Sequence, residues 1–255
     1  MLFALVAAPR SGTHMLRRAV SALPGLTFHG EVLNPALAGE VAPPHPTIWT
    51  WGRQSGVNVG QRPQPTQVRA FIEGLRPAGG HASGVDLKYW TWTQQGSAVG
   101  EAALSQVDKV VHLVRRDLVR AVVSELLRKH RTHLAAHDAR FHVGNLAAFD
   151  KAVLTRATEI RAFRRRMARA TIPVHEVIYE DLLAADTGQG GAIADGPARA
   201  LCAFLGRPMP DSGLLAGRGR ENPRRLHDRV DNYPALLAHY DAALRPGLTR
   251  LGLLP

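Results

Sequence analysis

Cysteine is nearly absent from this 255-residue chain, and lysine is scarce. The one thiol, Cys202, has no intramolecular partner, which excludes a disulfide scaffold. Among Leu201, Ala203, Phe204 and Leu205 it reads as buried and inert rather than as a nucleophile. No apolar run approaches the roughly 20 residues that a membrane-spanning helix needs. The opening run Met1 to Ala8 has no basic stretch ahead of it, and Pro9 cuts it short. It therefore reads as a strand rather than a signal peptide, and a cytoplasmic protein is the expectation. There is no internal repeat and no linker-like stretch, so a single domain over residues 1–255 is expected. With 45% apolar and 21% charged residues, wholesale disorder and collagen are excluded too.

Arginine is what the chain has in excess. Thirty-two basic against 21 acidic residues give a net charge of +11, and only Lys88, Lys109, Lys129 and Lys151 of the 32 are lysines. Such a balance attracts phosphates, sulfates, nucleic acid or an anionic surface. The arginines are spread along the chain rather than gathered in a terminal arm, which suits a site for a compact polyanion and argues against a nucleic-acid tail. Arg156, Arg161, Arg164, Arg165, Arg166 and Arg169 share a helix with the apolar stripe Ile160, Phe163 and Met167, so they read as its solvated outer face.

The apolar pattern alternates strands and helices. Strands are expected at residues 1–8, 26–28, 83–90, 109–114 and 172–179, the run at 109–114 being the strongest. Helices are expected after Gly12 up to Pro24-Gly25, then at 68–75, from Asp117 to about 134, at 146–170, at 197–205 before Gly206, and around 230–244. Residues 35–66 carry six prolines and read as one long irregular insertion; residues 186–196 are Gly-rich and read as a mobile loop. This order predicts an α/β fold, a P-loop-like and mostly parallel sheet with helices on both faces.

Pro9-Arg10-Ser11-Gly12-Thr13-His14 falls between a buried strand and a helix. The N–H groups and dipole of a helix start attract an anion, Gly12 lets the backbone approach it, Ser11 and Thr13 offer hydroxyls, and Arg10 adds charge. The run Gly-x-x-x-x-Gly-Lys-Ser/Thr of nucleotide-hydrolysing P-loops is missing. On these residues alone, a serine-capped helix start explains the motif as well.

Three motifs in order carry a resemblance to the sulfotransferases that use 3′-phosphoadenosine-5′-phosphosulfate (PAPS). Pro9 to Leu16 is similar to their first motif, Arg116 and Ser124 stand at the spacing of their second, and Tyr179-Glu180-Asp181-Leu182 resembles a recurrent late element. With His29-Gly30-Glu31-Val32-Leu33-Asn34, the chain resembles the bacterial carbohydrate sulfotransferases of the nodulation-factor and trehalose types. The resemblance implies PAPS as donor and PAP as product with no metal, and a hydroxylated carbohydrate or glycoconjugate as acceptor. It implies neither a nucleic-acid partner nor a membrane span, and a homodimer is compatible with it.

It also implies roles. The first turn, Arg10 to His14, would take the phosphosulfate, and Arg116 and Ser124 the 3′-phosphate. Glu31 would be the general base on the acceptor hydroxyl, with His29 the runner-up or a structural histidine. Arg10 and Lys88 would stabilise charge on the leaving oxygens, and His14 would either supply a proton or cap the helix. Arg218 and Arg220 fall where the family closes over the nucleotide. Arg115 should face away from Arg116 as a surface or salt-bridge residue. The repeated tripeptides Trp49-Thr50-Trp51 and Trp90-Thr91-Trp92 would, on extended chain, present aromatic pairs to a sugar; the alternative is core beneath the insertion. Two other functions fit parts of the pattern: a P-loop-type nucleotide phosphotransferase, which the missing lysine motif disfavours, and a non-catalytic polyanion or nucleic-acid binder resting on charge alone.

Overall fold

The apolar opening of the chain forms β1 (Leu2–Ala7), and all six of its side chains are buried. A strand covered on both faces needs two neighbours, and β1 has them in parallel register: Leu2 to Ala7 run beside Ser83 to Lys88, and Phe3 to Ala7 beside Lys109 to Leu113. The computed structural model describes residues 1–38, 45–131, 141–183, 192–215 and 229–254. In chain order the elements are β1, α1 (Thr13–Ser21), β2 (Leu26–Phe28), α2 (Ile48–Ser55), α3 (Pro65–Gly74), β3 (Ala82–Lys88), α4 (Trp90–Thr93), α5 (Ser97–Leu104), β4 (Lys109–Val114), α6 (Leu118–Arg131), α7 (Leu146–Met167), β5 (Val174–Ile178), α8 (Tyr179–Leu182), α9 (Asp195–Leu205), α10 (Tyr233–His239) and α11 (Arg245–Arg250).

The sheet order is β2-β3-β1-β4-β5 and every pairing is parallel. This is the expected α/β fold. From β1 the chain winds toward β3 and β2, then returns to place β4 on the other side. The ends of β1 and β4 therefore flank the point where winding reverses, the usual crevice for a ligand in such sheets.

Two apolar layers enclose the sheet. Phe3, Leu5, Ala7, Val111 and Leu113 pack on α1 and α9, with Cys202 among them. Ala4, Val6, Val85, Leu87 and Val110 pack on the larger layer formed by α2 to α7 and the C-terminal helices. Cys202 is buried beside Met209, and burial pushes its thiol up, as an inert cysteine requires.

The structure corrects three expectations. The insertion at 35–66 is not irregular throughout: a 3₁₀ turn occupies Pro35–Leu37, and α2 carries a Thr47 capping box and a left-handed Gly56 at its end. The small-residue helix α5 was missed because buried Val99, Gly100, Ala102, Ala103 and Leu104 show no single apolar stripe. Arg156 is not on the solvated face of α7; it is buried and bonds Glu125 across α6 at 2.5 Å. Most of the Gly-rich stretch at 186–196 lies outside the described residues.

Candidate active site

β1 ends against Pro9, and the chain turns sharply enough to put both Arg10 (φ 64°) and Gly12 (φ 90°) in the left-handed region. For Gly12 this is natural, and a Cβ there would sit 2.2 Å from the Tyr179 ring. For Arg10 it costs about 1 kcal/mol or more and must be held by its surroundings. Arg115 holds it: its Nη1 donates to the Arg10 carbonyl at 2.8 Å while its guanidinium lies over Tyr179 at 4.9 Å. The N-cap of α1 is Gly12, so no N-cap side chain competes for the first-turn N–H groups. Arg10 reaches the other way, its Nε donating to Ser124 Oγ on α6 at 3.3 Å.

The Tyr-Glu-Asp-Leu run clamps this turn to the start of α6. Tyr179 packs on Gly12, the Glu180 carboxylate accepts from the N–H groups of Arg116 and Asp117 at 2.9 and 3.1 Å, Asp181 pairs with Arg116, and Leu182 is buried. Asp117 caps α6 through the Arg120 N–H at 2.8 Å, as its position predicts. Of the two expectations for Arg115 the salt bridge holds, its Nε lying 3.8 Å from Glu180 Oε1, and the surface placement does not. β4 stops at Val114, so strand alternation does not govern residue 115, and its side chain is largely buried.

Across the turn lies a buried charge cluster. Lys88, 3% exposed, donates from Nζ to Thr13 Oγ1 at 3.0 Å and to both oxygens of Asp86, 4% exposed, at 2.8 Å; Glu31 Oε1 is 3.5 Å away. Burial pushes the Asp86 carboxyl above the usual range, the Lys88 ammonium opposing it. Asn34 Nδ2 donates to Glu31 Oε2 at 2.9 Å and orients that carboxylate. Glu31 also lines a cleft of about 500 Å³ together with His14, Arg17, Phe28, Asn34 and His45.

Of the residues singled out from sequence, the structure joins Arg10 to Ser124 on one side of the turn and Lys88 to Thr13 and Glu31 on the other, and Glu31 and His14 line the cleft. Ser11 is buried in the turn; His14 is exposed and lies 3.4 Å from Arg17 Nη2, and it does not cap the helix. Arg116 is 55% exposed and lies 3.1 Å from both Asp181 oxygens. His29 is half-buried, held below its ordinary value by burial and by nearby His45, and does not line the cleft. Arg218 and Arg220 lie outside the described residues.

The tryptophan platforms are corrected. Both tripeptides are helical, in α2 and α4, so Trp49 and Trp51 do not share a face, nor do Trp90 and Trp92. Trp49 and Trp92 are buried; Trp49 Nε1 donates to Gly60 O at 3.0 Å, and Trp92 packs edge-on to Phe163. Trp51 packs on Phe71, and none of the four lines the cleft.

Sequence reasoning missed Asp86, Arg115 and Arg17. Asp86 and Lys88 stand two apart on a strand and so share a face, a signal that was there to be read. Arg17 stands one turn after His14 on α1, an equally readable spacing.

No protein-family model and no curated protein matches the sequence. Among solved structures, a sulfotransferase from Alicyclobacillus acidocaldarius superposes with a TM-score of 0.51 at 16% identity, covering 98% of this chain and 93% of that one. The fold is that of a sulfotransferase. A mouse sulfotransferase, SULT7A1, complexed with PAP, gives a TM-score of 0.46 at 15% identity over 82% of this chain and 59% of its own. Within the sulfotransferase fold seen here, no described helix is long and apolar enough to cross a membrane, and no three His, Cys, Asp or Glu among the described residues are grouped to hold a metal ion.

Proposed function

We propose that this protein is a sulfotransferase that moves a sulfuryl group from PAPS to a hydroxyl of a carbohydrate or glycoconjugate. One observation carries the reading: an uncapped helix start with two left-handed residues, flanked by Arg10 and Lys88, opens beside a cleft that presents a carboxylate. The residues suit an anionic donor. Cationic groups and N–H donors surround the turn, and Gly12 leaves room where any Cβ would meet Tyr179.

In this reading Glu31 accepts the proton of the acceptor hydroxyl as that oxygen attacks sulfur. The bond between sulfur and the bridging phosphate oxygen breaks, and its electron pair stays on that oxygen, leaving PAP. Lys88, reaching the turn through Thr13, and Arg10 stabilise the charge that develops there. Arginine cannot donate a proton at neutral pH, so Arg10 acts as fixed charge. Among the described residues the Arg116 side chain is held by one exposed ion pair, worth about 0 to 1 kcal/mol, so a 3′-phosphate can displace Asp181 at little cost.

The test is a titration of the protein with PAP, with ATP with and without Mg²⁺, and with duplex DNA at physiological salt. Tight, Mg²⁺-independent binding of PAP is the expected result. Preference for ATP with Mg²⁺, or for DNA, overturns the proposal and points to a phosphotransferase or a polyanion binder.

A further inference from the structure

The Lys88 ammonium has no hydrogen left to give a nucleotide bound at the turn. Lysine brings three N–H donors and no acceptor. Here they meet Oδ1 and Oδ2 of Asp86, both at 2.8 Å, and Thr13 Oγ1 at 3.0 Å. The side chain is 3% exposed and does not line the cleft beside Glu31, whose Oε1 stands 3.5 Å away as an ion-pair neighbour. Thr13 is the next group in line. It opens α1, is itself 5% exposed, and accepts from Lys88, so its own hydroxyl hydrogen must point elsewhere. Among the described residues Thr13 Oγ1 makes no other hydrogen bond. A buried hydroxyl hydrogen without an acceptor, at a helix start whose N–H groups suit an anion, points to a ligand.

We infer that Lys88 acts on the bound nucleotide through Thr13 and not by contact: the Thr13 hydroxyl donates to a 5′-phosphate oxygen, Lys88 polarises that hydroxyl, and Asp86 is the positioning residue that directs the ammonium onto it. This rests on the proposed sulfotransferase reading for the identity of the nucleotide but not for the relay. A hydroxyl that accepts from a cation is the stronger donor, because hydrogen bonds in a chain polarise one another where the local dielectric is low. Asp86 offsets the cost of burying the ammonium and occupies two of its three hydrogens, so the third has one acceptor, Thr13. The charge thus reaches the turn as an oriented O–H, with its geometry set before the nucleotide arrives.

The test is a mutant cycle on the full chain, read by calorimetry with PAP and with adenosine 3′-monophosphate, which lacks the 5′-phosphate. Thr13→Val keeps the shape and removes the hydroxyl. It should weaken PAP about ten- to hundredfold, the range for a hydrogen bond to a charged group, and leave adenosine 3′-monophosphate unchanged. Thr13→Ser should keep most of the PAP affinity. The paired change Lys88→Met with Asp86→Asn removes the cation without leaving a buried charge behind, and thermal melts check that it folds. On its own it should cost PAP about three- to tenfold, whereas in the Thr13→Val protein it should cost nothing further, to within about twofold. A crystal structure with PAP gives a second measurement that needs no variant: Lys88 should stay on both Asp86 oxygens, with Thr13 Oγ1 against a phosphate oxygen.

Equal losses from the paired change in the two backgrounds overturn the inference, since Lys88 would then reach the nucleotide itself. So does an ammonium swung onto the phosphate in the PAP complex, or a Thr13→Val protein that binds PAP like wild type or loses both nucleotides alike. If wild type prefers ATP with Mg²⁺ to PAP, the sulfotransferase reading fails, and the same cycle run with ATP decides the relay. If PAP binds and the losses are additive, the reading stands and the relay falls. If neither nucleotide binds, both fall.

Discussion

Lys88 and Tyr89 are adjacent in the chain yet lead to opposite faces of the sheet, and each begins a buried polar network. On the α1 side Lys88 holds Asp86, Thr13 and Glu31. On the α7 side the Tyr89 hydroxyl meets His112 Nε2 at 2.6 Å, His112 Nδ1 meets Glu176 at 3.0 Å, and Arg164 grips both Glu176 oxygens at 2.6 and 2.8 Å. Each network has a carboxylate bound through both oxygens to a cation, but the two carboxylates shift in opposite directions. Asp86 is shut away from water and pushed up, whereas Glu176, 33% exposed and gripped by Arg164 and His112, is held down to about 2. Solvent decides the sign: partial hydration leaves Arg164 a net gain, while full burial charges Asp86 the whole desolvation cost. The second network ties β4, β5 and α7 to the end of β3 as structural glue. The first keeps its ammonium between a carboxylate and the turn from Arg10 to Thr13, the turn proposed to hold the donor.

The largest difference between the two should appear in turnover. Glu31→Gln keeps shape and removes the base, so the rate should fall by roughly two to four orders of magnitude with PAP affinity unchanged, whereas Glu176→Gln should leave the rate within a few-fold. Single-turnover kinetics with labelled PAPS checks this, and full activity of the Glu31 variant would move the base to His14 or His29. In stability, Lys88→Met leaves Asp86 buried without its counter-charge and should cost about 3 to 5 kcal/mol, much of it recovered by adding Asp86→Asn. Urea melts of the two single variants and the double variant decide; additive losses would mean that the pair is not coupled.

Acid should find the other network first. Glu176 has its folded value below the ordinary 4.5, so its contribution is complete above pH 4.5 and is lost as pH falls toward 2. Allowing for solvent screening of a partly exposed carboxylate, that contribution is about 2 kcal/mol. His112 is also held low by burial, so it further weakens the fold as pH drops below 6.5. Unfolding free energies of wild type and Glu176→Gln should converge between pH 4.5 and 2; curves that stay parallel would break the assignment. The smallest effect should be Tyr89→Phe, which leaves a buried His112 nitrogen without its hydroxyl and costs about 1 to 2 kcal/mol of stability, read from thermal melts, with no change in PAP binding.

Periodicity in the sequence was enough for β1 and β4, whose buried runs are almost wholly apolar, whereas the equally buried β3 carries Ser83, Asp86 and Lys88. β2 and β4 fall where the apolar runs place them, and β1 within one residue at each end. The turn ahead of α1 was legible for a local reason: a glycine at a strand-to-helix junction answers a backbone demand, met here by Gly12 at φ 90°. Side-chain destinations were not local in that sense. Arg115 was open between a surface and a salt-bridge role until the end of β4 freed it to reach Arg10 and Glu180, and the tryptophan pairs were open between platform and core until helix formation buried Trp49 and Trp92. The α/β alternation and the glycine turn ahead of α1 were determined by the sequence alone, since each rests on residues within one element or one turn, whereas Glu31 as base came from the resemblance. Lys88 against Thr13, Arg10 against Ser124 and Arg17 beside Glu31 join positions from 14 to 114 residues apart. Only tertiary packing could decide those, because burial and charge neighbours are properties of the assembled sheet and its helices.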